Sequence, residues 1–451
     1  MRATTCLVSV FTALALAGCG GGGGGSSSTS STGTSSTGTS STGTSSTGTS
    51  STGTSSTGTS STGTSSTGTS SSGTSSTGTS STGTSSTGTS STGTTSSGSN
   101  QLAVTVEQEP DINSYITANV PFVTVTVCDA AGNCSTVDHV LLDTGSYGLR
   151  VFASTLASNV QLAAMTASSG AAIGECASFV SGSIWGPVRY ATVKLGPKTA
   201  SNVPIQVMAD PSFAASTTSV GASQTACPNA SMSTGEQQLG AKGVLGVGLF
   251  KNDGQSYYAC TSSSCSAVAP PAQVSNPVAS FASDNNGVIL TLPAATAVQA
   301  SLTGVLTFGV DTQSDNILSG YTVLPASPQG YITVAMNGTN YPASFIDSGS
   351  NAYFLALSGV PVDSNGFFAP AQSTSYPATL SAGTGSYAAT VTVQATPSEP
   401  LGIAVFPYLA APFGSSRTQD MGLPFFYGKS VAYAINGTVT SHGVGPYYAI
   451  H

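Results

Sequence analysis

The sequence predicts an all-β fold of two related halves, preceded by a disordered tether. Three observations carry this. Short runs that alternate apolar and hydroxyl residues recur through residues 101–451 while helical periodicity is scarce, which is the pattern of half-buried strands. The phrase Leu141-Leu142-Asp143-Thr144-Gly145-Ser146 returns 204 residues later (347 minus 143) as Phe345-Ile346-Asp347-Ser348-Gly349-Ser350. From Gly20 to about Asn100 the chain is Gly, Ser and Thr, repeating Ser-Ser-Thr-Gly-Thr, with no apolar side chain to bury and no charge.

The N-terminus reads as an export signal. Arg2 precedes the apolar stretch Leu7 to Leu16, too short to span a bilayer. It runs into Leu16-Ala17-Gly18-Cys19, which resembles the lipobox of bacterial lipoproteins. The resemblance implies removal of residues 1–18 as a signal peptide, lipidation of Cys19 and a membrane partner through that anchor; an ordinary cleaved signal peptide is the alternative. Gly20, rather than an aspartate, follows the cysteine, which by analogy with lipoprotein sorting places the protein in the cell envelope at the outer membrane. Residues 19–100, the lipidated cysteine and tether, cannot offset the entropy of ordering. As a Gly/Ser-type coil such a tether has an r.m.s. span of about 50 Å.

Residues 101–451 are long enough for two lobes with separate cores, expected at 101–300 and 301–451. Nine Lys and Arg against seventeen Asp and Glu leave a net charge of −8, and without a basic patch nucleic acid is excluded as a partner. Past Cys19 stand Cys128, Cys134, Cys176, Cys227, Cys260 and Cys265, an even set in an exported chain, which favours disulfides. Cys128/Cys134 and Cys260/Cys265 each bracket a short turn-rich loop, leaving Cys176 for Cys227; this is the simplest of the 15 pairings that six cysteines allow. No Cys-x-x-Cys occurs and His139, His442 and His451 show no ligand spacing, so no metal or other cofactor is expected.

Strands are expected from Pro121 to Val127 and, after a turn at Ala130-Ala131-Gly132-Asn133, from Val137 to Leu142, a hairpin leading straight into Asp143. Further runs are Tyr190 to Leu195, Val203 to Met208, Val288 to Leu292, Val305 to Gly309, Tyr331 to Met336, Ala388 to Val393 and Val431 to Ile435. Asn337-Gly338 and Asn436-Gly437 are type I′ hairpin signals. Short helices are expected near Phe152 to Leu156 and Pro277 to Ala282.

Each repeated phrase sets an aspartate in an apolar run, directly before a hydroxyl residue and a glycine. A carboxylate there is partly desolvated and needs the neighbouring hydroxyls and turn N–H groups. One Asp-Ser/Thr-Gly is ordinary turn chemistry. Two with matching flanks point to a paired-carboxylate site. Two carboxylates brought close share one proton and titrate as a unit, so a water between them loses a proton to the ionised group while the protonated partner hydrogen-bonds a developing oxyanion.

With these phrases the chain resembles the pepsin-like aspartic peptidases across most of residues 115 to 440. Between the two motifs, Phe179-Val180-Ser181-Gly182-Ser183-Ile184-Trp185-Gly186 is similar to the flap hairpin of that family, and Gly243-Val244-Leu245-Gly246-Val247-Gly248 to its hydrophobic-hydrophobic-Gly strand. The resemblance implies a bilobal double β-barrel with a central cleft, acting as a monomer on peptide or protein substrates. It implies Asp143 and Asp347 as the catalytic pair, Ser146 and Ser350 on their outer oxygens, Gly145 and Gly349 permitting close approach, and Thr144 and Ser348 tying the turns together. Phe179, Gly182, Ser183 and Trp185 would belong to the flap over substrate, with a core or surface-aromatic place for Phe179 and Trp185 the equal alternative, while Tyr147, Leu149 and Arg150 would line the cleft or pack. Segments such as Gly422-Leu423-Pro424-Phe425-Phe426-Tyr427-Gly428 also resemble a family of uncharacterised bacterial lipoproteins.

Two departures stand out. Phe179 occupies the place of the flap tyrosine, and the second hydrophobic-hydrophobic-Gly element reads Asp420-Met421-Gly422, with a charge in place of an aliphatic residue. The function expected is membrane-anchored aspartic endopeptidase; the alternative is an inactive pepsin-like envelope lipoprotein that binds peptide or protein.

Overall fold

The computed structural model of the chain describes residues 100–108, 118–220, 224–228, 230–233, 235–395 and 402–451. Cys19 and the segments expected to be a signal peptide and a tether lie outside these residues. Nearly all regular structure is β: an eighteen-stranded sheet, a seven-stranded sheet and a two-stranded ribbon, curled into barrel-like layers. Among the described residues no helix is long and apolar enough to cross a membrane.

Helical signals come out as single turns. The stretch near Phe152 to Leu156 is the end of the strand Tyr147–Phe152 followed by a 3₁₀ turn, Ala153–Thr155. That near Pro277 is the 3₁₀ turn Pro277–Ser280, started by Asn276 Oδ1 accepting from the Val278 N–H at 3.0 Å. Hairpin signals divide. Asn337 and Gly338 take φ 51° and 74° between paired Met336 and Thr339, as a type I′ turn requires. Asn436-Gly437 makes no such hairpin, because the Asn436 N–H donates to Leu249 O at 2.7 Å and Lys429–Ala434 pairs instead with Tyr447–Ile450.

The first hairpin forms as its sequence demands. Pro121–Cys128 pairs with Cys134–Asp143, and Asp129 Oδ1 accepts from the Ala131 and Asn133 N–H groups, both at 2.9 Å. Disulfides join Cys128 to Cys134, Cys176 to Cys227 and Cys260 to Cys265, the pairing expected from spacing. The large sheet also takes strands from beyond residue 300: Leu302–Phe308 pairs along the whole of Gln101–Val106. The seven-stranded sheet draws only on strands between Ile332 and Met421.

Strand register reveals an internal repeat. Cys134–Asp143 runs parallel to Gly243–Val247, with Leu142 opposite Leu245, and Gly243–Val247 runs antiparallel to Tyr147–Phe152 on its other side. In the second half Thr339–Ile346 runs parallel to Asp420–Met421, with Ile346 opposite Met421, and that short strand runs antiparallel to Tyr353–Leu355. Each half therefore threads a third strand between the two arms of an aspartate turn. Matched registers make Leu245 the counterpart of Met421, Gly246 of Gly422 and Val244 of Asp420.

Candidate active site

The two aspartate turns meet. Asp143 and Asp347 are both fully buried, and each carboxyl group lies against the opposite turn, where the charge of one disfavours ionisation of the other. Approach is reciprocal: a Cβ on Gly145 would fall 2.5 Å from Asp347 Cγ, and one on Gly349 would fall 2.7 Å from Asp143 Cγ. Only glycine at both positions lets each turn's backbone pass beneath the opposite carboxyl group.

Each carboxyl is held by its own turn. Asp143 Oδ1 accepts from the Gly145 and Ser146 N–H groups at 2.8 and 3.1 Å, and Ser146 Oγ donates to Oδ2. Asp347 Oδ1 accepts from the Gly349 N–H at 2.7 Å, and Ser350 Oγ contacts Oδ2 at 2.9 Å. Across the junction the Thr144 N–H donates to Ser348 Oγ at 3.1 Å and the Ser348 N–H to Thr144 Oγ1 at 2.9 Å, while Ser348 Oγ donates to Leu142 O at 2.7 Å. The counterpart of that last bond is indirect: Thr144 Oγ1 donates to Tyr433 Oη, which donates to Ile346 O, at 3.0 and 3.1 Å. The site thus gathers all eight residues singled out in the two motifs, and adds Tyr433, whose strand Lys429–Ala434 carries no sequence signal for such a role.

Burial raises the pKa of both dyad carboxyls, and a negative charge on Asp143, or on Asp420 when ionised, raises that of Asp347 further. Asp420 is also fully buried and held well above the ordinary range, first by burial. It reaches the dyad through Ser350, whose Oγ lies 2.6 Å from Asp420 Oδ2.

A cavity of ≈ 170 Å³ opens on Thr144 and Gly145 and is walled by Tyr147, Val180, Phe345 and Phe413 among others, with tyrosines its only ionisable side chains. Val180, at the two-residue tip of the hairpin formed by Ala172–Phe179 and Gly182–Leu195, is 55% exposed and reaches the cavity. The four residues expected in the flap over substrate do not line it. Phe179 packs into a buried cluster with Val120, Phe122 and Met232, and a Cβ on Gly182 would press on Met232; Ser183 pairs with Ser178 within the hairpin. Trp185 is buried against Cys176–Cys227, Phe213 and Tyr258, and its Nε1–H donates to Ala214 O at 2.7 Å, fixing the hairpin's base. Phe179 and Trp185 are apolar and find buried partners behind the hairpin, which leaves its tip to reach the cavity.

Of the residues after the first motif, Tyr147 lines the cavity while Leu149 and Arg150 pack. The Arg150 guanidinium, 1% exposed, contacts Glu175 at 2.6 Å and Asp253 at 2.7 Å, and Tyr257 Oη donates to the other Asp253 oxygen at 2.7 Å. Since Glu175 sits opposite Gly186 in the flap hairpin, this network joins the hairpin to the strand that leaves the first aspartate turn. Among the described residues no three His, Cys, Asp or Glu side chains are grouped to hold a metal ion.

The fold and site define an all-β protein with two mirrored aspartate turns joined face to face. The chain belongs to the family described as "Protein of unknown function (DUF3443)", whose model matches residues 96–450. A comparison with curated proteins finds no match. Among solved structures the chain is similar to the crystal structure of an aspartic proteinase from Irpex lacteus, at 14% identity and a TM-score of 0.42 over 78% of this chain and 96% of that one.

Proposed function

We propose that this protein is an aspartic endopeptidase, anchored through Cys19 to the membrane of the bacterial cell envelope and carried on a Ser/Thr/Gly tether. The observation that supports the reading best is the reciprocal packing of Gly145 under Asp347 and Gly349 under Asp143, which forces two carboxyls to share a proton. Water drawn between them loses a proton to the ionised carboxylate and attacks a peptide carbonyl, whose oxygen accepts a hydrogen bond from the protonated partner. Collapse of the tetrahedral intermediate returns the captured proton to the leaving amine. Productive binding requires the site to open, because both carboxyls are wholly covered.

That burial, together with Phe179 turned into the core, favours a second reading: an inactive envelope protein whose apolar cavity binds peptide without turnover. The deciding experiment is cleavage of a diverse peptide library by the purified chain across acid to neutral pH, beside Asp143→Asn and Asp347→Asn. The peptidase reading expects cleavage by the native chain and none by either folded variant. A folded native chain that binds peptides and cleaves none would leave the binding reading standing.

A further inference from the structure

We infer that Asp420 is a third, protonated member of the carboxyl site, a positioning residue that donates a hydrogen bond to Ser350, which donates in turn to Asp347. Hydroxyl arithmetic leads there. Ser350 Oγ lies between Asp347 Oδ2 at 2.9 Å and Asp420 Oδ2 at 2.6 Å, yet a hydroxyl carries a single proton and can donate to only one of them. One carboxyl must therefore be the donor to Ser350. The Gly349 N–H donates to Asp347 Oδ1, a backbone contact that suits a carboxylate. Among the described residues Asp420 has no N–H or cationic partner: Ser350 is its one hydrogen-bond partner there, and its Oδ1 is buried with none. The proton therefore resides on Asp420 Oδ2, giving the chain Asp420 O–H to Ser350 Oγ, and Ser350 O–H to Asp347 Oδ2.

The internal repeat isolates what is special here. Val244 holds the equivalent place in the first half and is fully buried in an apolar cluster, and there, among the described residues, the Ser146 hydroxyl bonds only its own aspartate. The fold therefore has no structural need of a carboxyl at this point. Among the described residues three titratable groups face Asp420: Asp347 through Ser350, Asp143 by its charge, and Tyr448 on the strand Tyr447–Ile450, which an ionised Asp420 would act on. The flanking strands offer Phe345 and Phe354 opposite it, and among the described residues no lysine, arginine or histidine acts on it. An ionised Asp420 would face two further carboxyls without a counter-charge, so the three groups hold two protons between them.

The test uses the full chain with Asp420→Asn, whose amide keeps a donor to Ser350, and Asp420→Val, which copies Val244. Its first arm needs no activity. An aspartate unfolds to a pKa of about 3.9. If Asp420 stays protonated in the fold, the native chain alone is penalised as pH rises above that value, so the melting temperature of each variant relative to native climbs from acid to neutral pH. A difference that stays flat, or falls, in both variants overturns the inference. The second arm rests on the peptidase reading. Val, lacking the donor, moves the acid limb of kcat/KM to higher pH, whereas Asn restores that limb and extends the alkaline one. Native profiles in both variants would mean that Asp420 only fills space. Should the native chain cleave nothing, the first arm still decides, and the protonation of Asp420 stands or falls apart from the peptidase reading.

Discussion

Gly145→Ala probes the dyad at its tightest point. The added methyl would sit 2.5 Å from Asp347 Cγ and 2.7 Å from each of its oxygens. Carbon atoms pack at about 3.5–4.0 Å, so the carboxyl must retreat by roughly 1 Å. Gly145 does not take a positive φ, so no backbone strain confounds the effect. Overpacking of this kind costs about 1–3 kcal/mol. A 1 Å displacement of a reacting group costs on the order of 10²-fold in rate. The assay is denaturant unfolding of the native chain, Gly145→Ala, Gly349→Ala and Gly414→Ala, with peptide cleavage on the same samples. Gly414 is the control, because its added Cβ would meet nothing within 4 Å. Gly145→Ala and Gly349→Ala should lose stability and activity together while Gly414→Ala keeps both. If Gly145→Ala proves as stable as Gly414→Ala, the turns do not interlock and the dyad argument fails.

Three other outcomes are expected. Tyr433→Phe strands Thr144 Oγ1 and Ile346 O in the core and should cost about 1–3 kcal/mol, read as a shift in denaturant midpoint; an unshifted midpoint would remove Tyr433 from the junction. Replacing Cys176 and Cys227 by Ala opens a closure of 51 residues, worth about 4 kcal/mol, against about 2 kcal/mol for the 5-residue Cys260–Cys265 closure, and equal losses would contradict the chain-entropy argument. Stability should also peak on the acid side of neutrality. Buried Asp143, Asp347 and Asp420 have raised pKa values, so their favourable contribution is complete below about 3.9 and is lost as pH rises through the folded values. Asp129 acts oppositely. The Gln161 N–H and the Asn133 side chain hold it down to about 2, so its contribution is present above the unfolded value and lost as pH falls. A melting temperature that rises steadily towards alkaline pH would refute this balance.

The strands, the paired turns and the disulfides were legible in the sequence because each is written in neighbouring residues. Alternation marks a strand, Asp-Thr-Gly and Asp-Ser-Gly mark the turns, and Cys128 and Cys260 close loops of six and five residues. Asn436-Gly437 misled for the same local reason: its hairpin signal is strong, but the Asn436 N–H is taken by Leu249 from the other half. For Phe179 and Trp185 the sequence leaves core and cleft equally open, and the structure buries both, since whether an aromatic side chain enters a cleft or a core depends on what packs behind it.

By itself, then, the sequence determined an all-β chain with two aspartate turns, because strand periodicity and turn chemistry are properties of short segments. Only the tertiary structure decided what the turns touch. Thr144 finds Tyr433 across 289 residues, and Ser350 finds Asp420 across 70. Asp420 looked like a stray charge on an aliphatic strand until strand register set it beside Ser350, and burial without a counter-charge then decided where its proton lies. Such pairings arise from how sheets stack, and no local pattern encodes them.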